Sequence, residues 1–122
     1  MVITMDPLLD PREFGDHRSV KFVRFTPSGT ILFCDACDMC VSHSSLVYFQ
    51  RERVPNDNPV GAGQILVRDG RWCFSGFYGY STSIANQFNV KVGSLDDDEQ
   101  VVQGAFDALS VPLRYDCELP YS

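Results

Sequence analysis

The residues with the clearest capacity for chemistry lie in a short run of cysteines. Cys34, Cys37 and Cys40 are each separated by two residues, and His43 follows at the same spacing, which gives Cys-x2-Cys-x2-Cys-x2-His. Two cysteines at this spacing can turn both sulfurs toward one metal ion, because the loop between them is short. The pattern therefore indicates a zinc site with these four residues as ligands.

Other interpretations of the cysteine run stay open. A structural zinc site usually takes its second pair of ligands from a distant knuckle, whereas this chain offers only the separate Cys73 and Cys117, either of which could be a fourth ligand after Cys40 or His43. An iron–sulfur run would need a cysteine where Ser44 stands. A thiol–imidazole pair of Cys40 and His43 would suit nucleophilic catalysis, but such pairs normally come from different elements of the fold. Thiols without a ligand are the simplest alternative, and five cysteines, an odd number, favour a reducing compartment over disulfides.

A second candidate site is the glycine-broken aromatic segment of residues 72–81. The segment holds five aromatic residues in nine positions. Strand alternation cannot place all of these rings on one face, so some of them must lie outside a main core. Tyrosine and tryptophan are typical interface anchors, because a polar group accompanies a large apolar area. The segment therefore predicts a partner-binding patch formed by Phe77, Tyr78 and Tyr80.

A run of acidic residues follows this segment. Asp96, Asp97 and Asp98 precede Glu99, and Ser94 or Asp96 is placed to cap a helix. Negative charge at this position stabilises the positive end of a helix dipole, so the run needs no cation to explain it. We also expect Asp96, Asp97 and Asp98 to give the aromatic patch electrostatic complementarity to a basic partner.

Composition limits the classes of protein to which the chain can belong. The 122 residues are 44% hydrophobic with a net charge of −6, which suits one folded domain of residues 1–122. Neither half carries the basic excess that phosphate contacts require, so nucleic-acid binding is disfavoured. No apolar stretch approaches the ~18 residues of a membrane span, and no signal peptide is recognisable. We expect a soluble intracellular protein, in the cytoplasm or, if the chain is viral, in the host cytoplasm.

Strand patterns dominate the first part of the chain. Residues 1–18 form an N-terminal arm, with a short helical turn at residues 10–13 that Asp10 caps and Pro11 starts. Residues 20–25 and 30–34 predict a hairpin. Residues 45–50 predict a third strand, and the proline- and glycine-containing residues 54–63 predict a loop.

The later elements include the two clearest local signals. Asp69-Gly70 is a preferred type I′ pair and predicts a hairpin between residues 64–68 and 71–74. Apolar residues at helical spacing predict an amphipathic helix at about residues 96–109. Residues 87–92 predict a strand, and residues 111–115 a short edge strand. The fold class is therefore α+β: an antiparallel sheet or small open barrel of about five to seven strands with one C-terminal helix.

These patterns favour binding over catalysis. No common catalytic or nucleotide-binding motif is present. We expect a non-enzymatic protein-binding module that acts through an acidic and aromatic surface, as inhibitors, immunity proteins and viral or phage accessory proteins do. Its partner would be another protein. The alternatives are a structural subunit of an oligomer or viral assembly, which binds copies of itself, and a zinc-stabilised module.

Overall fold

The computed structural model of the chain describes residues 8–15, 18–37, 41–75 and 79–119. Within them the fold is α+β, with five strands in one open, mixed sheet and three helices. In chain order the elements are β1 (Arg18–Thr26), β2 (Ile31–Asp35), α1 (His43–Arg53), β3 (Asn58–Arg68), β4 (Arg71–Ser75), α2 (Gly79–Phe88), α3 (Leu95–Ala108) and β5 (Arg114–Tyr115). The sheet order is β2-β1-β3-β4-β5.

Three of the four strand pairings are antiparallel, and the fourth is parallel. The pairs β1–β2, β1–β3 and β3–β4 are antiparallel, whereas β5 runs parallel to β4. The prediction of a wholly antiparallel sheet is therefore wrong. Between β4 and β5 the chain passes through α2 and α3, and a long crossover of this kind lets a strand return in the direction of its neighbour.

Both predicted hairpins are confirmed. In the first, β1 pairs with β2 from Val20↔Asp35 to Arg24↔Ile31. In the second, Asp69 and Gly70 take φ values of 52° and 73°, which are the positive values that a type I′ turn requires. The chain folds back at this turn because its twist matches that of the flanking strands.

Both faces of the sheet are buried. One face packs against α3 and the N-terminal turn, and the other packs against α1 and α2. The core on the α3 side includes Phe14, Val20, Phe22, Phe33, Ile65, Val67, Trp72, Phe74, Val102, Phe106 and Leu113. The core on the α1 and α2 side includes Val23, Phe25, Cys34, Val41, Leu46, Val47, Ala62 and Ile84. The sheet is thus the middle of three layers.

The strand predicted at residues 45–50 is wrong, because these residues belong to helix α1. Ser42 caps this helix: its hydroxyl accepts from the Ser45 amide at 3.1 Å, while the Ser45 side chain receives the Ser42 amide at 3.4 Å. A short apolar run does not by itself distinguish a strand from a buried helix. Pairing of β1 directly with β3 leaves this run outside the sheet, where a helix satisfies its backbone and buries Leu46 and Val47.

The loop predicted at residues 54–63 is also too long, because β3 already begins at Asn58. The first residues of β3 pair with the end of β1, as in Phe25↔Pro59, across an irregularity in register. Just before β3, the buried Asp57 accepts hydrogen bonds from the Ser28 amide at 3.0 Å, the Ser28 hydroxyl and the Gln50 amide at 2.7 Å. Burial acts to raise the pKa of Asp57, but these bonds outweigh it and the pKa is lowered. They fix the start of β3.

The strand predicted at residues 87–92 is wrong, and the described part of the chain contains three helices rather than one. Helix α2 ends at Phe88, and the next residues have no regular structure. The local sequence of α2 gives no strong helix signal. Its Ile84 is buried in the core against the sheet, so tertiary packing stabilises the helix.

Helix α3 and the turn at residues 10–13 match their predictions closely. Helix α3 spans Leu95–Ala108 and is capped by Ser94, whose hydroxyl accepts from the Asp97 amide at 3.1 Å. The N-terminal turn is a 3-10 helix at Pro11–Glu13, capped by Asp10. The edge strand predicted at residues 111–115 is reduced to Arg114–Tyr115.

A buried ion pair joins α3 to the centre of the sheet. Arg24 in β1 donates from Nε to Asp98 in the first turn of α3, with an N···O distance of 2.5 Å. Gly61 lies against this pair: a Cβ at that position would overlap the Asp98 carboxylate and lie 2.7 Å from Arg24 Nε. The missing side chain leaves the space that the pair occupies.

We therefore predict that Gly61→Ala destabilises the fold by about 1–3 kcal/mol, because it forces the buried pair apart. The measurement is urea unfolding followed by circular dichroism. Gly104 in α3 is the matched control, since a Cβ there meets nothing within 4 Å. Gly104→Ala should stabilise by about 0.5–1 kcal/mol through helix propensity. Equal stability of the two variants would contradict the prediction.

Candidate functional site

The predicted partner-binding residues that the structure describes lie in the first turns of two helices. Tyr80 is in the first turn of α2, and Asp96, Asp97 and Asp98 are in the first turn of α3. Phe77 and Tyr78 lie outside the described residues. The two helix starts meet at one edge of strand β3.

This edge is where β4 leaves the sheet. The pairing of β3 with β4 ends at Gln64↔Ser75, so earlier residues of β3 need other hydrogen-bond partners. The Ser81 hydroxyl accepts from the Ala62 amide and donates to the Ala62 carbonyl, both at 3.0 Å. The Gly93 amide donates to the Val60 carbonyl at 2.7 Å. The α2 helix and the segment before α3 thus cover the edge.

A cleft of about 200 Å³ lies between these two coverings. One wall comes from the start of α2, the other from the start of α3 and the residues before it, and the floor from the sheet. Its lining residues are Phe22, Ala62, Gly63, Phe74, Ser81, Thr82, Val92, Gly93, Leu95 and Asp98. Asp98 of the acidic run and Phe74 and Ser81 of the aromatic segment therefore line the same cleft.

The three aspartates of the acidic run have different surroundings. Asp98 is only 4% exposed and is paired with Arg24. Burial raises the pKa of Asp98, and the hydrogen bond from Arg24 opposes this shift. Asp97 is exposed and its carboxylate receives the Ser94 amide at 3.4 Å. Asp96 is exposed. Two of the three carboxylates are therefore accessible to a partner.

A cluster of polar side chains lies under α1 and α2, next to this edge. The Lys21 ammonium donates to the Val41 carbonyl at 2.6 Å. Gln64 donates to the Tyr80 hydroxyl at 3.0 Å, and the Tyr80 ring stacks on His43 with centroids 4.3 Å apart. Lys21 and Gln64 are register partners in β1 and β3, so their side chains share one face of the sheet. Tyr80 thus connects this cluster to the α2 side of the cleft.

His43 is the titratable centre of this cluster. Its Nε2 lies 2.8 Å from the Gly63 carbonyl oxygen. Because a carbonyl can only accept, this bond assigns the proton to Nε2 and leaves Nδ1 as the basic nitrogen. Burial lowers the pKa of His43 below its ordinary value of 6.5, the Gly63 carbonyl acts in the opposite direction, and the charge of Lys21 lowers it further. The imidazole is therefore neutral at physiological pH.

The predicted zinc ligands are placed in different environments. Cys34 is fully buried in the apolar core beside α1, whereas Cys37 is exposed. His43 donates to Gly63 and lies within the field of Lys21, whose positive charge disfavours a neighbouring cation. Cys40 lies outside the described residues, and within them no group of three or more histidine, cysteine and acidic residues is arranged to hold a metal ion. The zinc site stays a prediction.

A larger cavity of about 360 Å³ lies on the α3 side of the sheet, between the N-terminal turn, the β3–β4 turn and the end of α3. Its lining is mostly apolar, and Arg12 is the charged side chain at its rim. Arg12 binds Asp10 through two hydrogen bonds of 2.9 and 2.7 Å, and these lower the pKa of Asp10 to about 2. This charge is therefore already paired within the chain.

Several residues of the candidate site had no signal in the sequence. Arg24, Lys21 and Gln64 occupy strand positions whose polar character suggests a solvent-facing side. These positions face the interior because helices cover both faces of the sheet. Ser81 carries no motif, although its hydroxyl replaces a missing strand at Ala62.

Comparison with known proteins gives no match among family models, curated proteins or solved structures. Among the described residues no helix has the length and apolar character needed to cross a membrane. Functional arguments for this chain therefore rest on the geometry of its own residues.

We predict that acidification destabilises the protein through His43. The folded pKa lies below the unfolded value, so the contribution of His43 is fully present above about pH 6.5 and is lost as the pH falls toward the folded pKa. Urea unfolding of the protein and of His43→Gln at about pH 7.5 and about pH 5.5 measures this contribution. The variant should lose less stability on acidification, and His17, present in both proteins, cancels. An identical loss would contradict the assignment.

The zinc prediction has a direct measurement. Protein purified without chelators should carry about one equivalent of zinc if Cys34, Cys37, Cys40 and His43 form the site. Cys37→Ser should lower this content, whereas Cys117→Ser, a change of another exposed thiol, should leave it unchanged. Metal below about a tenth of an equivalent would remove the zinc interpretation.

Proposed function

We propose that this chain is a non-enzymatic protein-binding module of the inhibitor, immunity or viral and phage accessory type. It engages a basic partner surface through the first turn of α3 and the cleft beside it. Asp96 and Asp97 supply accessible negative charge, and the start of α2 supplies the opposite wall of the cleft.

The observation that carries this proposal is the exposure of Leu95. Leu95 is the first residue of α3, lines the cleft and is 46% exposed, next to two accessible carboxylates. A large apolar side chain flanked by charges is a common arrangement at interfaces, where apolar contact gives affinity and charge gives orientation. The cleft of about 200 Å³ offers space for one inserted partner side chain.

The negative charge of this chain favours a partner with a basic surface. The chain has a net charge of −6, and the N-terminal turn of α3 concentrates acidic residues beside Leu95. A basic partner surface would be drawn to this turn and would bind faster at low ionic strength. We infer that a lysine or arginine of the partner contacts Asp96, with apolar partner atoms on Leu95.

In this proposal Tyr80 has a different role from Phe77 and Tyr78. Tyr80 is half-buried, stacked on His43 and bonded to Gln64, so it anchors the start of α2 and does not itself line the cleft. Phe77 and Tyr78 lie outside the described residues and directly precede α2. We propose that these two supply apolar contacts to the partner.

The test is binding of the double variant Leu95→Ser/Asp96→Asn to a partner captured from the source organism with the unmodified chain. Loss of the apolar contact and of one charge should weaken affinity at least about tenfold, which corresponds to about 1.4 kcal/mol. Tyr78→Ala should weaken binding similarly without changing the unfolding midpoint. Affinity should also fall as salt concentration rises.

Asp107→Asn is the matched control, because Asp107 is an exposed aspartate at the opposite end of α3. This control should bind like the unmodified chain. If the double variant also retains its affinity within about twofold, a margin of about 0.4 kcal/mol, the proposal is wrong. If the captured partner is the chain itself, the alternative of a structural subunit replaces it.

A further inference from the structure

Two cysteines that play no part in the proposed binding site lie at the β4–β5 edge. Strand β5 pairs with β4 at Trp72↔Tyr115, and the Asp116 amide donates to the Trp72 carbonyl at 2.8 Å. Continuation of this register places Asp116 beside Cys73. Cys117 is the next residue in the chain.

The spacing between these cysteines suits a covalent link. Neighbouring strands lie about 4.8 Å apart, which sets Asp116 beside Cys73, and Cys117 follows Asp116 in the turn of residues 116–119, within reach of a covalent link. Disulfides join Cα atoms about 4.4–6.8 Å apart. The chain also turns back here: the Leu119 amide donates to the Asp116 carbonyl at 3.1 Å, and the Cys73 thiol contacts the Leu119 carbonyl at 3.8 Å. Cys73 therefore lies beneath the turn that carries Cys117.

The two thiols differ in accessibility. Cys117 is exposed and Cys73 is buried, and both are free. Burial raises the pKa of the Cys73 thiol, and negative charge on Asp116 and Cys117 raises it further. Cys117 is therefore the thiol that a dissolved oxidant meets first, and Cys73 is held nearby in its protonated form.

We propose that Cys73 and Cys117 form a thiol modification site that closes reversibly to an intramolecular disulfide when the chain meets a small-molecule disulfide such as glutathione disulfide. The Cys117 thiolate attacks one sulfur of the oxidant, which forms a mixed disulfide and releases one glutathione thiolate. Cys73 then loses its proton to solvent and attacks Cys117 Sγ, which forms the protein disulfide and releases the second glutathione. The two cysteines lose two electrons, and glutathione disulfide gains them.

The link would fasten the last described turn to the sheet. Strand β5 has only two residues and is held to β4 by few backbone bonds. A covalent bond across this edge restricts the unfolded chain and should stabilise the oxidised protein. Reduction would release the turn, so the attachment of residues 116–119 to the sheet depends on redox conditions.

Peptide mapping tests the proposal directly. The native protein is treated with glutathione disulfide, free thiols are blocked, and the chain is digested with trypsin. Cleavage after Arg71, Lys91 and Arg114 isolates Cys73 and Cys117 in separate peptides of one cysteine each, while Cys34, Cys37 and Cys40 remain together between Arg24 and Arg51. The expected product is a link between the peptides of residues 72–91 and 115–122, in monomeric protein.

Two single variants separate this site from other thiol oxidation. Cys117→Ser should abolish the linked peptide, whereas Cys37→Ser, which removes another exposed thiol, should retain it. In the Cys37→Ser protein, oxidation should raise the melting temperature by several degrees, and dithiothreitol should reverse the rise. Glutathione that stays on Cys117 while Cys73 is blocked as a free thiol would overturn the proposal, as would a dominant link from Cys117 to any other cysteine.

Discussion

Burial of strand β1 on both of its faces is the constraint on which the rest of the structure depends. Val20 and Phe22 lie in the core on the α3 side, whereas Val23 and Phe25 lie in the core under α1 and α2. A strand that is apolar on both faces needs a packed layer on each side. Helix α3 forms one layer, and α1 with α2 forms the other. The order of the sheet, with β1 between β2 and β3, follows from this central position.

Because both faces of β1 are buried, its basic residues Lys21 and Arg24 also lie in the interior. The groups that they bind belong to the candidate sites. Lys21 donates to the Val41 carbonyl just before α1, and Arg24 pairs with Asp98 at the start of α3. An unpaired charge in these positions would be costly, so each cation holds one helical layer in place. Asp98 is thereby withdrawn from the surface, and Asp96 and Asp97 beside it remain exposed in the first turn of α3.

Elements with local signals were predictable, and elements that depend on distant pairing were not. The Asp69-Gly70 turn and the Ser94 cap define the second hairpin and α3 from a few adjacent residues. The run at residues 45–50 has strand-like composition, yet it forms part of α1. The reason is that β1 pairs directly with β3, which leaves the run outside the sheet. The candidate site follows the same division: the acidic run was visible in the sequence, whereas the cleft beside it arises only where β4 leaves β3.

The sequence by itself determined the α+β fold class, the acidic character of the chain, two hairpins, the C-terminal helix and the N-terminal turn. Each of these depends on dihedral preferences, capping or hydrophobic period within a short segment. The tertiary structure decided which residues meet. Arg24 and Asp98 are separated by 74 positions, and His43 bonds a carbonyl 20 positions away. No local period encodes such contacts, because they arise only when the pairing of β1 with β3 brings the helices to opposite faces of one sheet.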